Sequence, residues 1–209
     1  MIVNPAIENY MHEISPLPHP VLKEMEDYGK SLDFPIVGPL VGRLLYTLIE
    51  FGHVHTILEC GSGFGYSAAW MALALPENGK LTCIEYKQEN IEKAKAYLEK
   101  LEAAHKATFI EGDSMGIVPT LTQTFDLIFI DIDKQQYLPI LPHLIERLRV
   151  GGMLIADNVL WKGLVAEKSD DEKAGYIRAY NKALFENPSL WTSIVPLRDG
   201  LSLSVKLKV

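Results

Sequence analysis

Cysteine is scarce in this sequence, and basic residues do not outnumber acidic ones. Cys60 and Cys83 are the only two cysteines, too few for a disulfide framework, and both lie in apolar, strand-like runs. We therefore expect buried free thiols and a reducing cytoplasm. The 27 acidic and 20 basic side chains give a formal net charge of −7, which argues against a nucleic-acid partner. We also expect no membrane association, since no signal peptide is evident and no apolar run approaches the roughly 20 residues of a membrane span.

Strand-like and amphipathic helix-like segments alternate through the middle of the chain. The strand-like runs, in order, are HTILEC, KLTCIEY, ATFIEG, FDLIFID and GGMLIAD. Such an alternation predicts an α/β fold, with a mostly parallel sheet and helices on both of its faces. The length favours a single domain over residues 1–209, in which the polar, proline-rich residues 1–33 form an N-terminal helical extension.

Two more strand-like runs, LWTSIVPL and LSLSVKLKV, follow near the C terminus and are joined by RDG. An Asp-Gly pair between such runs is a hairpin signal. The sheet is therefore predicted to have seven strands and to end in an antiparallel C-terminal hairpin.

A glycine turn, Gly61 to Gly65, follows the first predicted strand. Glycine allows the backbone to approach a ligand closely, although a tight strand-to-helix connection explains the turn equally well. The turn lacks the dinucleotide-binding pattern because Tyr66 stands where the third glycine would be, which counts against a dehydrogenase. At the end of the second strand, Glu85 is placed to accept hydrogen bonds from ribose hydroxyls, or is simply a solvated strand end.

Further polar residues follow the other strands. Asp113 and Ser114 are candidates to meet an adenine edge, or to cap a helix. Asp131, Asp157 and Asn158 form an all-oxygen set that suits Mg²⁺, Mn²⁺ or Ca²⁺, whereas zinc would require nitrogen or sulfur ligands. The alternative is that these three residues are helix caps and turn formers.

Lys134 follows Asp131 by three residues. A lysine beside a dication can serve as a neutral amine that accepts a proton. The alternative is an ordinary surface lysine on a first helical turn.

Four segments together resemble a known enzyme family: ILECGSGFGYSAAWMA, CIEYKQENIEKA, FIDIDKQQYLP and GGMLIADNVLWKGLV. They are similar to the cation-dependent S-adenosylmethionine O-methyltransferases of the caffeoyl-CoA and catechol O-methyltransferase type, including small bacterial members. The resemblance runs from about Pro35 almost to the C terminus. It implies a class I methyltransferase fold, which is Rossmann-like, and a homodimer, for which Tyr10, Met11 and Ile14 offer apolar surface.

The resemblance also implies a role for individual residues. It assigns cofactor contacts to Val37, Glu59, Gly61, Gly63, Ser67, Glu85, Ser114, Asp131 and Asp133. It makes Asp131, Asp157 and Asn158 the ligands of a divalent cation. Lys134 becomes the catalytic base, assisted by Asp131, and Trp161 stands beside the methyl acceptor. Animal catechol enzymes have a glutamate that grips the acceptor at about the position of Ser202, so the resemblance leaves the acceptor open.

These observations predict an enzyme that transfers a methyl group from S-adenosylmethionine to a hydroxyl of a catechol-like small molecule with the help of Mg²⁺. Two alternatives remain. A methyltransferase acting on nucleic acid is disfavoured by the acidic balance of the chain. A non-catalytic cofactor-binding module is disfavoured because all of the proposed metal and base residues are present.

Overall fold

A computed structural model describes residues 2–208 of the chain. Its backbone divides into two compact units. The N-terminal unit is Pro5–Gly112, and the C-terminal unit contains residues 113–208 together with residues 2–4.

The N-terminal unit begins with three helices and continues with three parallel strands. Its elements are α1 (Pro5–Glu13), α2 (Pro20–Ser31), α3 (Gly38–Phe51), β1 (Thr56–Cys60), α4 (Tyr66–Ala74), β2 (Lys80–Glu85), α5 (Gln88–Lys100) and β3 (Ala107–Glu111). The strands lie in the order β3-β2-β1, with Cys60 opposite Ile84 and Glu85 opposite Glu111. All three strands therefore end at the same edge of the sheet.

The C-terminal unit contains four further strands, which makes seven strands in the described residues. Its elements are α6 (Ser114–Ile117), β4 (Phe125–Ile130), α7 (Tyr137–Arg147), β5 (Leu148–Ala156), α8 (Glu172–Glu186), β6 (Leu190–Val195) and β7 (Leu201–Lys206). These strands lie in the order β4-β5-β7-β6, in which β4 and β5 are parallel and β7 is antiparallel to both of its neighbours.

The predicted fold class is confirmed, including the reversed C-terminal hairpin. Some boundaries differ from the prediction: β5 begins at Leu148 rather than Gly151, and β6 ends at Val195 because proline at 196 cannot donate to the ladder. The predicted last strand extended to Val209, which lies outside the described residues. Residues Leu127–Ile130 of β4 are almost wholly buried, as expected for a strand covered on both faces.

Helices α3 and α4 pack closely because a glycine stands at their contact. A Cβ atom built on Gly42 would lie 2.5 Å from Cδ2 of the buried Trp70 ring. Nearly every residue of α4 is buried, so this helix cannot easily move away. The contact fixes α4, whose first turn follows the glycine turn.

Both cysteines are free and buried in the N-terminal unit, as predicted. The Cys83 thiol donates to Oε2 of Glu59, 3.3 Å away, and burial with the nearby Glu59 charge raises the pKa of Cys83 well above its ordinary value. The cytoplasmic location stays a prediction.

Helix α1 buries none of its residues, and Tyr10 and the following Ile14 are exposed. This apolar surface is consistent with the homodimer, which stays a prediction. Among residues 2–208, no helix combines the length and apolar character required to cross a membrane.

We predict that Gly42→Ala lowers the free energy of unfolding by about 1–3 kcal/mol, because the added methyl group overpacks the Trp70 ring. Gly175→Ala is the matched control. Gly175 also lies inside a helix, but a Cβ atom built there would have no atom of the neighbouring structure within 4 Å. The control should leave stability unchanged or raise it by up to about 1 kcal/mol. Urea unfolding of both variants measures the difference, and equal stabilities would contradict the packing argument.

Candidate active site

The glycine turn after β1 is tied to the end of β2 by hydrogen bonds. The Gly61 amide donates to the Ile84 carbonyl over 2.9 Å. Gly65 has a φ of 91°, and a Cβ there would lie 2.7 Å from Cβ of Ala94. Gly65 thus meets two demands that only glycine satisfies, a left-handed backbone and close packing against α5.

Glu85 is the carboxylate that organises this turn. It is buried, and its Oε2 accepts from the Gly63 amide at 2.9 Å. Its Oε1 accepts from the Lys87 amide at 3.0 Å and from Nδ2 of Asn90 at 3.1 Å. A carboxylate has about four acceptor positions, so capacity for a ligand hydroxyl is left. Burial shows that Glu85 is not merely a solvated strand end.

Glu59 and Ser67 interact with each other in the core of the N-terminal unit. The Ser67 hydroxyl donates to Oε1 of Glu59, while Oε2 accepts from the thiol of Cys83. Glu59 therefore joins β1 to α4 and β2, and its direct contact with a ligand stays a prediction. Val37 is buried at the start of α3.

In the C-terminal unit, Asp113 caps helix α6. Its Oδ1 accepts from the Met115 amide at 3.0 Å, and Nε2 of Gln136 donates to both of its oxygens. The helix-cap alternative thus holds for Asp113, while Ser114 is buried as the first residue of α6. Asp133 is exposed, and its role stays a prediction.

The strand register brings the two candidate metal-binding aspartates together. Ile130 of β4 pairs with Ala156 of β5, so Asp131 and Asp157 follow at the same level of neighbouring parallel strands. Asp157 is fully buried, whereas about a third of the Asp131 side chain is exposed. Burial and the nearby Asp131 charge raise the pKa of Asp157 to about 7.

The donor set fits an oxygen-ligated dication. Two carboxylates end neighbouring strands here, and a dication would offset the repulsion between their charges. Asn158 follows Asp157 and has a left-handed φ of 61°. Its backbone amide donates to Oδ1 of Asp157 over 2.8 Å. Within residues 2–208, no group of three or more His, Cys, Asp or Glu side chains could hold a metal. A cation site at Asp131 and Asp157 therefore depends on the side-chain amide oxygen of Asn158 as its third protein ligand.

Lys134 is not a surface lysine. Only 8% of its side chain is exposed, and its Nζ donates to Oδ1 of Asp131 at 2.8 Å and to the Tyr137 hydroxyl at 2.7 Å. The Tyr137 hydroxyl in turn donates to the Asp157 carbonyl at 3.0 Å. Burial raises the pKa of Tyr137, so this hydroxyl keeps its proton and acts as a donor. The lysine therefore bridges the ends of β4 and β5.

Sequence reasoning gave no role to Tyr137 or Arg198. Tyr137 could have been found by its place three residues after Lys134 in the same turn of chain. Arg198 belongs to the turn between β6 and β7, and its Nη1 donates to Oδ2 of Asp157 over 3.0 Å. Because β7 runs antiparallel to β5, the turn that precedes β7 lies at the carboxyl end of β5.

Trp161 is the first residue of a short 3-10 helix, Trp161–Ala166, and is half-buried. Its indole Nε1 donates to Oδ1 of Asp171 over 3.0 Å, and the ammonium groups of Lys162 and Lys173 lie 5.9 and 5.6 Å from its ring centroid. Its position beside an acceptor stays a prediction.

A family model described as O-methyltransferase matches residues 12–207 of the chain. The chain belongs to the O-methyltransferase family. Among its relatives is the caffeoyl-CoA O-methyltransferase of Petroselinum crispum, 33% identical over 78% of this chain and 73% of the relative. Caffeoyl-CoA O-methyltransferase 2 of Populus trichocarpa is 29% identical over 100% of this chain and 91% of the relative. The family resemblance seen in the sequence is thereby confirmed.

Solved structures agree with this assignment. The O-methyltransferase TomG of Streptomyces achromogenes, involved in tomaymycin synthesis and solved in complex with SAM, matches with a TM-score of 0.88 and 25% identity, covering 97% of this chain and 96% of TomG. A putative O-methyltransferase of Klebsiella pneumoniae matches with a TM-score of 0.87 and 28% identity, covering 97% of each chain.

We predict that Tyr137→Phe destabilises this O-methyltransferase by about 1–3 kcal/mol, since the Asp157 carbonyl and Lys134 both lose a buried partner. Tyr180→Phe is the control, because the Tyr180 ring packs edge-on against Tyr137 with centroids 5.1 Å apart and is also fully buried. Within the described chain, the hydrogen bonds of Lys134 go to Asp131 and Tyr137 and not to the Tyr180 hydroxyl. Thermal unfolding and a pH profile of turnover should distinguish the two variants. A Tyr137→Phe enzyme that matches Tyr180→Phe in both readouts would contradict the bridging role.

Proposed function

We propose that this O-methyltransferase transfers the methyl group of S-adenosylmethionine to one hydroxyl of a catechol-like small molecule in a reaction that requires a divalent cation, with Mg²⁺ preferred. The observation that carries the proposal is the buried Lys134, whose Nζ is hydrogen-bonded to Asp131. Asp131 directly follows β4, and Asp157 directly follows the neighbouring strand β5 at the same level. A lysine and two carboxylates in this arrangement suit proton removal next to a bound cation.

The N-terminal unit supports the choice of S-adenosylmethionine. Glu85 keeps acceptor capacity for a ribose hydroxyl while it holds the glycine turn in place. The turn exposes backbone rather than bulky side chains to a ligand. TomG, a structural neighbour at 25% identity, was solved with SAM, which supports the same cofactor here.

Asp131, Asp157 and Asn158 would hold the cation. When bound, a divalent cation would supply positive charge that lowers the pKa of a phenol acceptor. The protein contributes the fixed positions of these ligands, because Asp131 and Asp157 extend directly from paired strands.

Lys134 takes up the hydroxyl proton on its Nζ. The hydrogen bonds to Asp131 and to the Tyr137 hydroxyl hold Nζ at the ends of β4 and β5. The acceptor oxygen then forms a bond to the sulfonium methyl carbon as the carbon–sulfur bond breaks. The products are the methyl ether and S-adenosylhomocysteine. Holding both substrates in line can lower the barrier by several kcal/mol, and effective molarities put the upper range at about 7–11 kcal/mol.

A panel of vicinal diphenols with labelled S-adenosylmethionine tests this function, assayed once with Mg²⁺ and once with a chelator. Label should transfer to at least one diphenol with Mg²⁺ and not with the chelator. Equal transfer in the presence of the chelator would refute the cation requirement, and transfer to monophenols alone would refute the acceptor class.

We predict that Glu85→Ala weakens S-adenosylmethionine binding in chelator by about 1–3 kcal/mol, the range for lost hydrogen bonds to a charged group. Binding of the cofactor should not itself require the cation. The matched control is Glu111→Ala, since Glu111 ends β3 opposite Glu85 but is exposed. Calorimetry of the three proteins measures the affinities, and the assignment of Glu85 to the cofactor site is wrong if both variants bind like the wild type.

We predict that Lys134→Ala lowers turnover of catechol by about 10²–10⁴-fold, the usual contribution of a general base. The loss should shrink with a nitrocatechol, whose hydroxyl is already ionised near neutral pH. Lys168→Ala, at an exposed lysine, should behave like the wild type with both acceptors. If the nitrocatechol regains none of the lost rate, Lys134 does not act as the base.

A further inference from the structure

The carboxylate of Asp157 is engaged by the protein on both oxygens. Oδ1 accepts from the Asn158 amide at 2.8 Å, and Oδ2 accepts from Nη1 of Arg198 at 3.0 Å. The Asp157 side chain is completely shielded from solvent. A cation that binds Oδ2 must therefore share that oxygen with a guanidinium, or displace it.

Each of the two carboxylates is already paired with a basic side chain without a cation. Asp131 pairs with Lys134 at 2.8 Å, and Asp157 pairs with Arg198 at 3.0 Å. A dication that binds both carboxylates must compete with these basic groups. Arg198 is the one with room to move away, because a third of its side chain is exposed whereas only 8% of the Lys134 side chain is.

The turn that carries Arg198 does not depend on its side chain. The Asp199 carboxylate accepts from the Lys162 amide, the Leu160 amide donates to the Asp199 carbonyl at 2.9 Å, and the Val159 amide donates to the Gly200 carbonyl at 3.0 Å. These bonds fix the turn to the loop after Asp157. The guanidinium can leave while the turn stays in place.

We propose that Arg198 is an internal counter-ion, which neutralises Asp157 in the metal-free enzyme and competes with the divalent cation for this carboxylate. The inference rests on the proposed cation requirement. Arg198 would therefore have opposite effects on two properties. It stabilises the metal-free protein, and it weakens the affinity of the protein for the metal. Arg198 thus sets the cation concentration at which the enzyme becomes loaded.

Arg198→Gln is the informative substitution. It removes the charge but keeps a long polar side chain, and both residues meet the same strain at the left-handed φ of 52°. Glycine would relieve that strain and confound the stability measurement. Arg198→Lys retains the charge. Arg149→Gln is the matched control. Arg149 forms a salt bridge with Asp126 in the same unit, at the opposite end of β4 and β5 from Asp157.

Calorimetric titration of the full-length, metal-free proteins with Mn²⁺ and with Mg²⁺ measures the affinities. We expect Arg198→Gln to bind the cation roughly 5- to 100-fold more tightly than the wild type. This range lies between the free energies of exposed and of buried charge pairs, since the Arg198–Asp157 pair is half-buried. Arg198→Lys should stay nearer the wild type, and Arg149→Gln should equal it. Thermal unfolding supplies a second readout. Arg198→Gln should melt below the wild type in chelator, and its melting temperature should rise more with Mn²⁺.

Two outcomes would overturn the inference, and they are distinguishable. Wild-type affinity or weaker binding in a folded Arg198→Gln protein would show that Arg198 does not compete. An absence of Mn²⁺ and Mg²⁺ binding in every protein, including the wild type, would refute the proposed cation requirement as well.

Discussion

A carboxylate removed from water at the end of β5 is the constraint on which the C-terminal unit depends. Asp157 cannot be hydrated, so its charge must be met by neighbours or suppressed by protonation, which is why its pKa rises to about 7. The compensating groups come from three separate places in the chain: the Asn158 backbone amide, Arg198 on the hairpin turn, and the nearby charge of Lys134. Strand pairing and hairpin geometry serve to deliver them.

The N-terminal unit uses a second carboxylate differently. Glu85 is buried but meets only backbone amides and one side-chain amide, with no cation among its hydrogen-bond partners in the described chain. Such a group shapes the glycine turn and retains acceptor capacity for a neutral hydroxyl. One unit thus presents an acceptor suited to a sugar, and the other a charge cluster suited to a cation. Under the proposed function, the first would bind the cofactor ribose and the second the divalent cation.

The sequence predicts strands and helices well here because the alternation of apolar and amphipathic runs reflects burial on both faces of a parallel sheet. It also predicts the acidic strand ends, since Asp131 and Asp157 directly follow apolar runs. The contacts of Lys134 and Arg198 depend instead on tertiary geometry. Burial of Lys134 follows from the turn into α7, and the Arg198 contact requires β7 to lie beside β5, which an Asp-Gly turn alone does not specify. A local pattern carries no information about which strand a hairpin will join.

The two cysteines give the N-terminal unit an intrinsic reporter of its opening. Cys60 and Cys83 are both inaccessible, and the raised pKa of Cys83 suppresses the thiolate that reacts with alkylating reagents. Modification of either thiol therefore requires the strands around it to separate. The chain has no other cysteine, so the rate of thiol alkylation would follow the free energy of opening of the N-terminal unit. It would not respond directly to local openings of the C-terminal unit.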